Sequence, residues 1–256
     1  MQDRYVGDVG DYGKYALLRH LCGTDYLSDV RLGVVWCYFP NESHNDDGRH
    51  IGYLQRSDYR DLGPGLFRHL KRVVEGGDRN IDAIQNGGLL PNGTVFVGNP
   101  AAWFDSEGQH LAPELREAKR DSWVAHSLNA TSSCDLVFFD PDNGIESKSV
   151  TKRDPKAGKY FFWDEISQFW NRGQSLLIYH HLNRTRSAQQ QIEDLRSAFR
   201  ERLKLLDGPI PLRFRRGSAR IFWLVPTKGM RKQLAARVMR MLEGGWAAHF
   251  DIASAN

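Results

Sequence analysis

Hydrophobic positions along this chain change period repeatedly, and the changes mark out alternating helices and strands. Residues 12–22 carry Tyr15, Leu17, Leu18 and Leu21 at helical spacing, and 31–39 follow as an apolar strand. The polar stretch 40–49 reads as a loop, 66–74 as a helix and 94–98 as a short strand. Residues 114–128 look helical and lead into Asp135-Leu-Val-Phe-Phe-Asp140, an apolar run with no polar alternation, as expected of a strand covered on both faces. Beyond it, 148–159 lack apolar periodicity and predict an exposed loop, 163–170 predict a short helix, and 175–179 predict a second buried strand ending at His180 and His181. A clear amphipathic helix follows, with Ile192, Leu195, Phe199, Leu203 and Leu206 on one face and Gly208 just past its end. A strand over 219–225, a basic helix over 230–242 packed through Leu234, Val238 and Leu242, and a last strand near 246–252 complete the pattern. Strands that alternate with helices predict an α/β fold: one doubly wound, mainly parallel sheet in a single domain spanning 1–256.

Composition narrows the setting without assigning a function. The 256 residues are 41% hydrophobic and 26% charged, as in an ordinary globular domain. A net charge of +4 permits an anionic partner such as nucleic acid without requiring one. Cys22, Cys37 and Cys134 are widely spaced and form neither a disulfide framework nor a zinc motif, so a reducing cytoplasm is the expected compartment. Apolar runs long enough for a membrane span are missing, and the first residues do not resemble a secretory signal. Most of the tryptophans, Trp36, Trp103, Trp123, Trp163, Trp170, Trp223 and Trp246, are expected in the core.

The candidate chemistry concentrates where the buried run stops, at Asp140-Pro141-Asp142-Asn143-Gly144-Ile145-Glu146. In open parallel sheets ligands bind outside the carboxyl ends of the strands, which is where these side chains should lie. The same residues are also good turn formers. They resemble the start of a calcium loop too, but Gly144 falls one position early and the twelfth position lacks an acid.

At the N-terminus, Gly7-Asp8-Val9-Gly10-Asp11-Tyr12-Gly13-Lys14-Tyr15 resembles the opening of the bacterial 23S ribosomal RNA adenine N6-methyltransferases of the J type, with the Gly, Asp and Lys positions in register. Asp140-Pro141 is similar to the start of that family's Asp-Pro-Pro-Tyr tetrad. The resemblance implies a class I, Rossmann-like methyltransferase fold with an antiparallel C-terminal strand and Asp140 at the end of the fourth strand. It implies S-adenosylmethionine as cofactor, with Lys14 near its carboxylate and Asp11 beside it, and Asp140, Pro141 and Asn143 holding a target amine. Glu42 or Asp46, in the loop after the first strand, would contact ribose hydroxyls or else form a solvated acidic turn. Two features depart from the family. Asp142 and Asn143 replace the proline and aromatic residue of the tetrad, so base stacking would fall to Tyr160 or Trp163, and the glycine-rich loop is replaced by 40–50. The Gly-Asp-x-Gly-Asp-x-Gly-Lys-Tyr start and the Asp-Pro-Asp-Asn-Gly core also resemble an uncharacterised bacterial family, which implies no activity.

Two other classes fit the same residues. Asp140, Asp142, Glu146 and His180, with Asp164, Glu165 and His181 nearby, supply ligands for Mg²⁺ or Mn²⁺ and would suit a phosphodiesterase or nuclease. Asp8, Asp11, Asp46, Asp47 and His50 add to this acidic set, although Asp164 and Glu165 could instead cap the following helix and the histidines could be structural. Arg184, Arg186, Arg213, Arg215, Arg216 and Arg220, with Phe214 interleaved, could track a phosphate backbone, in an enzyme or in a non-catalytic nucleic-acid-binding module. The Arg-rich stretch equally suits an edge strand blunted by charge.

Overall fold

The computed structural model describes residues 1–23, 29–42, 48–98, 111–183 and 185–253. Its centre is a seven-stranded sheet built from β1 (Leu32–Trp36), β2 (Val95–Val97), β3 (Leu136–Asp140), β6 (Ser175–His181), β7 (Ile210–Phe214), β8 (Arg220–Val225) and β9 (Phe250–Ile252), in the order β2-β1-β3-β6-β8-β7-β9. The first four are parallel neighbours, while β8 runs against both β6 and β7, and β9 against β7. A two-stranded ladder of β4 (Gly144–Ile145) and β5 (Tyr160–Phe161) stands beside it. This is a mixed α/β fold with a mostly parallel sheet, compatible with a Rossmann-like architecture.

The uninterrupted apolar run of β3 has its reason in two cores. Leu136 and Phe138 join Val34, Leu177 and Phe222 on one face, under α1 (Val9–Cys22), α3 (Pro64–Glu75) and α8 (Arg231–Glu243). Val137 and Phe139 join Val35, Ile178 and Trp223 on the other, under α5 (Pro113–Ala130), α6 (Trp163–Asn171) and α7 (Ala188–Arg202). Because successive side chains alternate across a strand, a strand covered on both sides must be apolar at every position. Helices on both faces make the sheet doubly wound. Two short helices, α2 (Ser57–Leu62) and α4 (Ile81–Gln85), lie beyond the reach of apolar periodicity in the sequence.

Several boundaries differ from the expectation. Asp140 ends the third strand in chain order. The supposed exposed loop 148–159 closes with a 3₁₀ turn, Pro155–Lys159, whose Ala157 and Gly158 are buried, because buried Arg120 donates to the Ala157 carbonyl. The helix through Ile192 stops at Arg202, and Leu206 is 99% exposed rather than on the packed face. The charged segment 210–214 is an interior strand: Arg213 pairs with Asp251 of β9, which covers the edge that charge was expected to blunt. Trp246 sits in a 3₁₀ turn ahead of β9, so the last strand is shorter than its pattern. Trp36, Trp123, Trp163, Trp223 and Trp246 are buried, Trp170 is half-buried, and Trp103 lies outside the described residues. Cys22, Cys37 and Cys134 are buried free thiols. Among the described residues, no helix is long and apolar enough to cross a membrane.

Candidate functional site

The carboxyl ends of β3 and β6 open into a cavity of about 360 Å³, bounded also by the start of α1 and by the β7–β8 turn. Local sequence sets up that boundary. Asp8 caps α1 by accepting the Asp11 N–H at 2.8 Å, and Gly7, with φ +81°, turns the chain where a Cβ would come within 2.5 Å of Val74. Gly10 and Gly13, one helical turn apart, form the contact face: a Cβ at Gly13 would meet the Phe214 ring at 2.6 Å, and one at Gly10 would meet Arg220 Nη1 at 1.5 Å. The helix can lie against β7 and β8 only because these positions lack side chains.

Lys14 projects from α1 onto the end of β3. Its ammonium donates to Asp11 Oδ1 and Asp140 Oδ2, each at 2.7 Å, and faces Met1 Sδ at 3.7 Å. Lys14 is 4% exposed and Asp140 2%, so this is a buried cluster of two carboxylates on one ammonium. Burial alone would drive Lys14 towards the neutral amine, but the two acids outweigh it and hold its pKa above the ordinary lysine value. Burial also raises Asp11 and Asp140, with Lys14 partly offsetting it. Asp140 lines the cavity, and its Oδ1 accepts no hydrogen bond from the described residues.

The rest of the tetrad is fixed by backbone. The Asn143 N–H donates to the Lys159 carbonyl and its own carbonyl accepts from the His181 N–H, while its side chain stands where the cavity meets a second, larger groove of about 1130 Å³. Asp142 is bound by the Met1 amine and by Gln2 Nε2, each at 2.6 Å. Glu42 is held by Gln2, Arg4 and Lys159 and does not line the cavity. Asp46, Asp47 and Arg184 lie outside the described residues. Of the two candidate stacking residues, Tyr160 is a half-buried wall of the groove. Trp163 is buried edge-on against Phe199, with the Arg202 guanidinium over its ring.

The possible metal ligands are drawn to separate partners. Asp140 takes Lys14, Asp142 takes Met1, and Glu146 accepts from the Trp163 N–H at the start of α6. His180 Nδ1 accepts the Ile145 N–H at 3.1 Å, and burial lowers its pKa to about 4, so the ring is neutral. Gly144, at φ +116°, allows this approach, since a Cβ there would lie 2.4 Å from that nitrogen. Glu165 pairs with Arg120 and Asp164 with Lys152. Among the described residues, no three His, Cys, Asp or Glu side chains converge on one point.

The arginines do not form one strip. Arg186 is exposed and paired with Asp194, and Arg213 and Arg215 both reach Asp251. Arg216 donates to His249 Nδ1. Arg220 is not on the surface at all: it is 6% exposed and lines the cavity. Its place there was missed in the sequence, although it directly precedes the apolar run Ile-Phe-Trp-Leu-Val and the glycine spacing in α1 signals a close approach by something. Compared with known protein families, with curated proteins and with solved structures, the chain gives no match.

Proposed function

We propose that the protein binds S-adenosylmethionine in the cavity beneath α1 and methylates an amine, on a nucleic-acid base or a similar acceptor, that enters from the adjoining groove. The observation that carries this reading is the Asp140 carboxylate on the cavity wall beside Asn143, with one oxygen fixed on Lys14 and the other unbonded among the described residues. A strand inserted antiparallel between two parallel ones near the C-terminus, as β8 is between β6 and β7, supports the methyltransferase type of sheet. The cavity volume lies in the range of about 300–1,000 Å³ usual for small-molecule sites.

Bound S-adenosylmethionine supplies an electrophilic methyl group on a cationic sulfur. Asp11, Lys14 and Asp140 form a wall with one more carboxylate than ammonium, which favours a cationic ligand when both acids are ionised. Asp140 Oδ1 accepts an N–H of the acceptor amine and turns the nitrogen lone pair towards the methyl carbon; its contribution is orientation. Lys14 keeps that carboxylate in place through Oδ2, a positioning role in place of the expected contact with the cofactor's carboxylate. Tyr160, on the groove wall, offers a ring for stacking a flipped base, and Arg186 on the same wall offers a phosphate contact.

Calorimetric titration with S-adenosylmethionine in the presence of a chelator tests the reading. Saturable heat is expected, and Asp140→Asn should retain that binding while methyl transfer to RNA or DNA falls at least about 100-fold. Absence of binding at millimolar concentration would overturn it.

A further inference from the structure

Arg220 is the unusual charge in this cavity. A guanidinium stays protonated in proteins, so burying one without a counter-ion is unfavourable. The other buried arginines bond through all three nitrogens: Arg120 to Glu165 and to the carbonyls of Ala157 and Tyr160, and Arg116, without an ion pair among the described residues, to the carbonyls of Arg153 and Leu111. Arg220 donates only to Ser218, through Nε to the carbonyl and Nη2 to Oγ, and its Nη1 donates to none of the described residues. Its plane rests against Tyr179 and Phe214, with centroids 6.0 and 5.8 Å from Cζ. Asp8, Asp11 and Asp140 favour its charge, Asp8 most closely, with Oδ1 3.0 Å from the Gly10 Cβ position that Nη1 approaches to 1.5 Å, but none forms an ion pair with it. Gly10 leaves the space that Nη1 occupies, beside the positive end of α1. A buried cation on a cavity wall, held against two rings and in no ion pair with any of the described residues, is a prepared site for an anion.

We propose that Arg220 anchors the anionic group of this cavity's ligand, a carboxylate or a phosphate, which on the reading above is the carboxylate of S-adenosylmethionine. Lys14 cannot take that role while both Asp11 and Asp140 hold it, and the planar fork of Arg220 suits a two-oxygen acceptor.

The test compares binding of S-adenosylmethionine with that of its decarboxylated analogue, which keeps the sulfonium and the nucleoside. Wild-type protein should prefer the carboxylate form by about 10- to 100-fold. Arg220→Gln and Arg220→Met should each reduce that preference to near unity, mainly by weakening the carboxylate form, while Arg60→Gln, at an exposed arginine paired with Asp61, should leave it intact. Equal binding of the two ligands by wild-type protein, or a preference that survives in whichever Arg220 variant folds, overturns the proposal. Should neither sulfonium bind, the methyltransferase reading fails and the anchor is judged with inorganic phosphate at constant ionic strength. Phosphate should then raise the unfolding temperature of wild-type protein and not of the Arg220 variants, and an equal response would overturn the anchor as well.

Discussion

Two of the buried charge groups in this protein differ in whether their partners are complete. Arg120 of α5 and Glu165 of α6 form a paired, two-point contact in which Arg120 also donates to the carbonyls of Ala157 and Tyr160, and Glu165 accepts the Phe162 N–H. Every oxygen and nitrogen in it faces protein. Lys14, Asp11 and Asp140 instead combine two acids with one base on the wall of a cavity, with Asp140 Oδ1 unbonded among the described residues. A closed contact, which Lys152 also approaches at 3.8 Å from Glu165, ties elements together, whereas an unbalanced cluster on a cavity wall retains capacity to act on something else.

The sharpest way to break this contrast is to remove one member of the closed pair. Glu165→Gln leaves a buried guanidinium uncompensated and should destabilise the fold by about 3–5 kcal/mol in urea unfolding, with ligand affinity unchanged in the fraction that remains folded. A loss below about 1 kcal/mol would mean that water reaches the pair, at variance with its burial.

Lys14→Met comes next. It leaves two buried carboxylates without their cation and should cost about 3 kcal/mol near neutral pH. Because the native pKa values of Asp11 and Asp140 are raised above the unfolded value of 3.8, the native state binds the extra protons between 3.8 and those raised values. Stability of the variant should therefore increase as pH falls through that window. Unfolding temperatures that fall on mild acidification would contradict the assignment.

The His180 ring gives a dependence of opposite sign. It is held neutral with a pKa of about 4, against 6.5 when unfolded, so its contribution is complete above pH 6.5 and lost as pH falls towards 4. That group accounts for on the order of 2–3 kcal/mol. His180→Asn keeps an acceptor for the Ile145 N–H and should flatten this part of the stability profile; histidine slope that remains belongs to His249, whose pKa is also lowered to about 4, and to His20 and His69, which burial lowers as well.

The smallest expected effect on stability is that of Asp140→Asn. The amide preserves shape and an acceptor for Lys14, and burial already disfavours the carboxylate, so the change should stay within about 1 kcal/mol while methyl transfer collapses. Large destabilisation with intact catalysis would make Asp140 a structural counterpart of Glu165.

The cores were readable in advance because periodicity is a local property. The runs in β3, β6 and β8 needed only composition to be recognised as two-sided strands, and Asp140 needed only its position after such a run. The short ladder of β4 and β5 was not readable, since Gly144-Ile145 and Tyr160-Phe161 are stabilised by each other and by the His180 and Lys159 backbone and side-chain contacts around them. Nor was β7, where Pro211 and Arg213 disguise an interior strand.

By itself, then, the sequence determined an α/β chain with strands buried on both faces and a polar cluster delivered at the end of one of them. Only the tertiary structure decided which charge meets which. It joined Lys14 to Asp140 across 126 positions, gave Glu165 to Arg120, and moved Arg220 from a presumed basic surface to the wall of a cavity. The physical reason is range: side-chain alternation is imposed by neighbours along the backbone, whereas the state of a charge depends on burial and on partners that only the closed fold brings within a few ångströms.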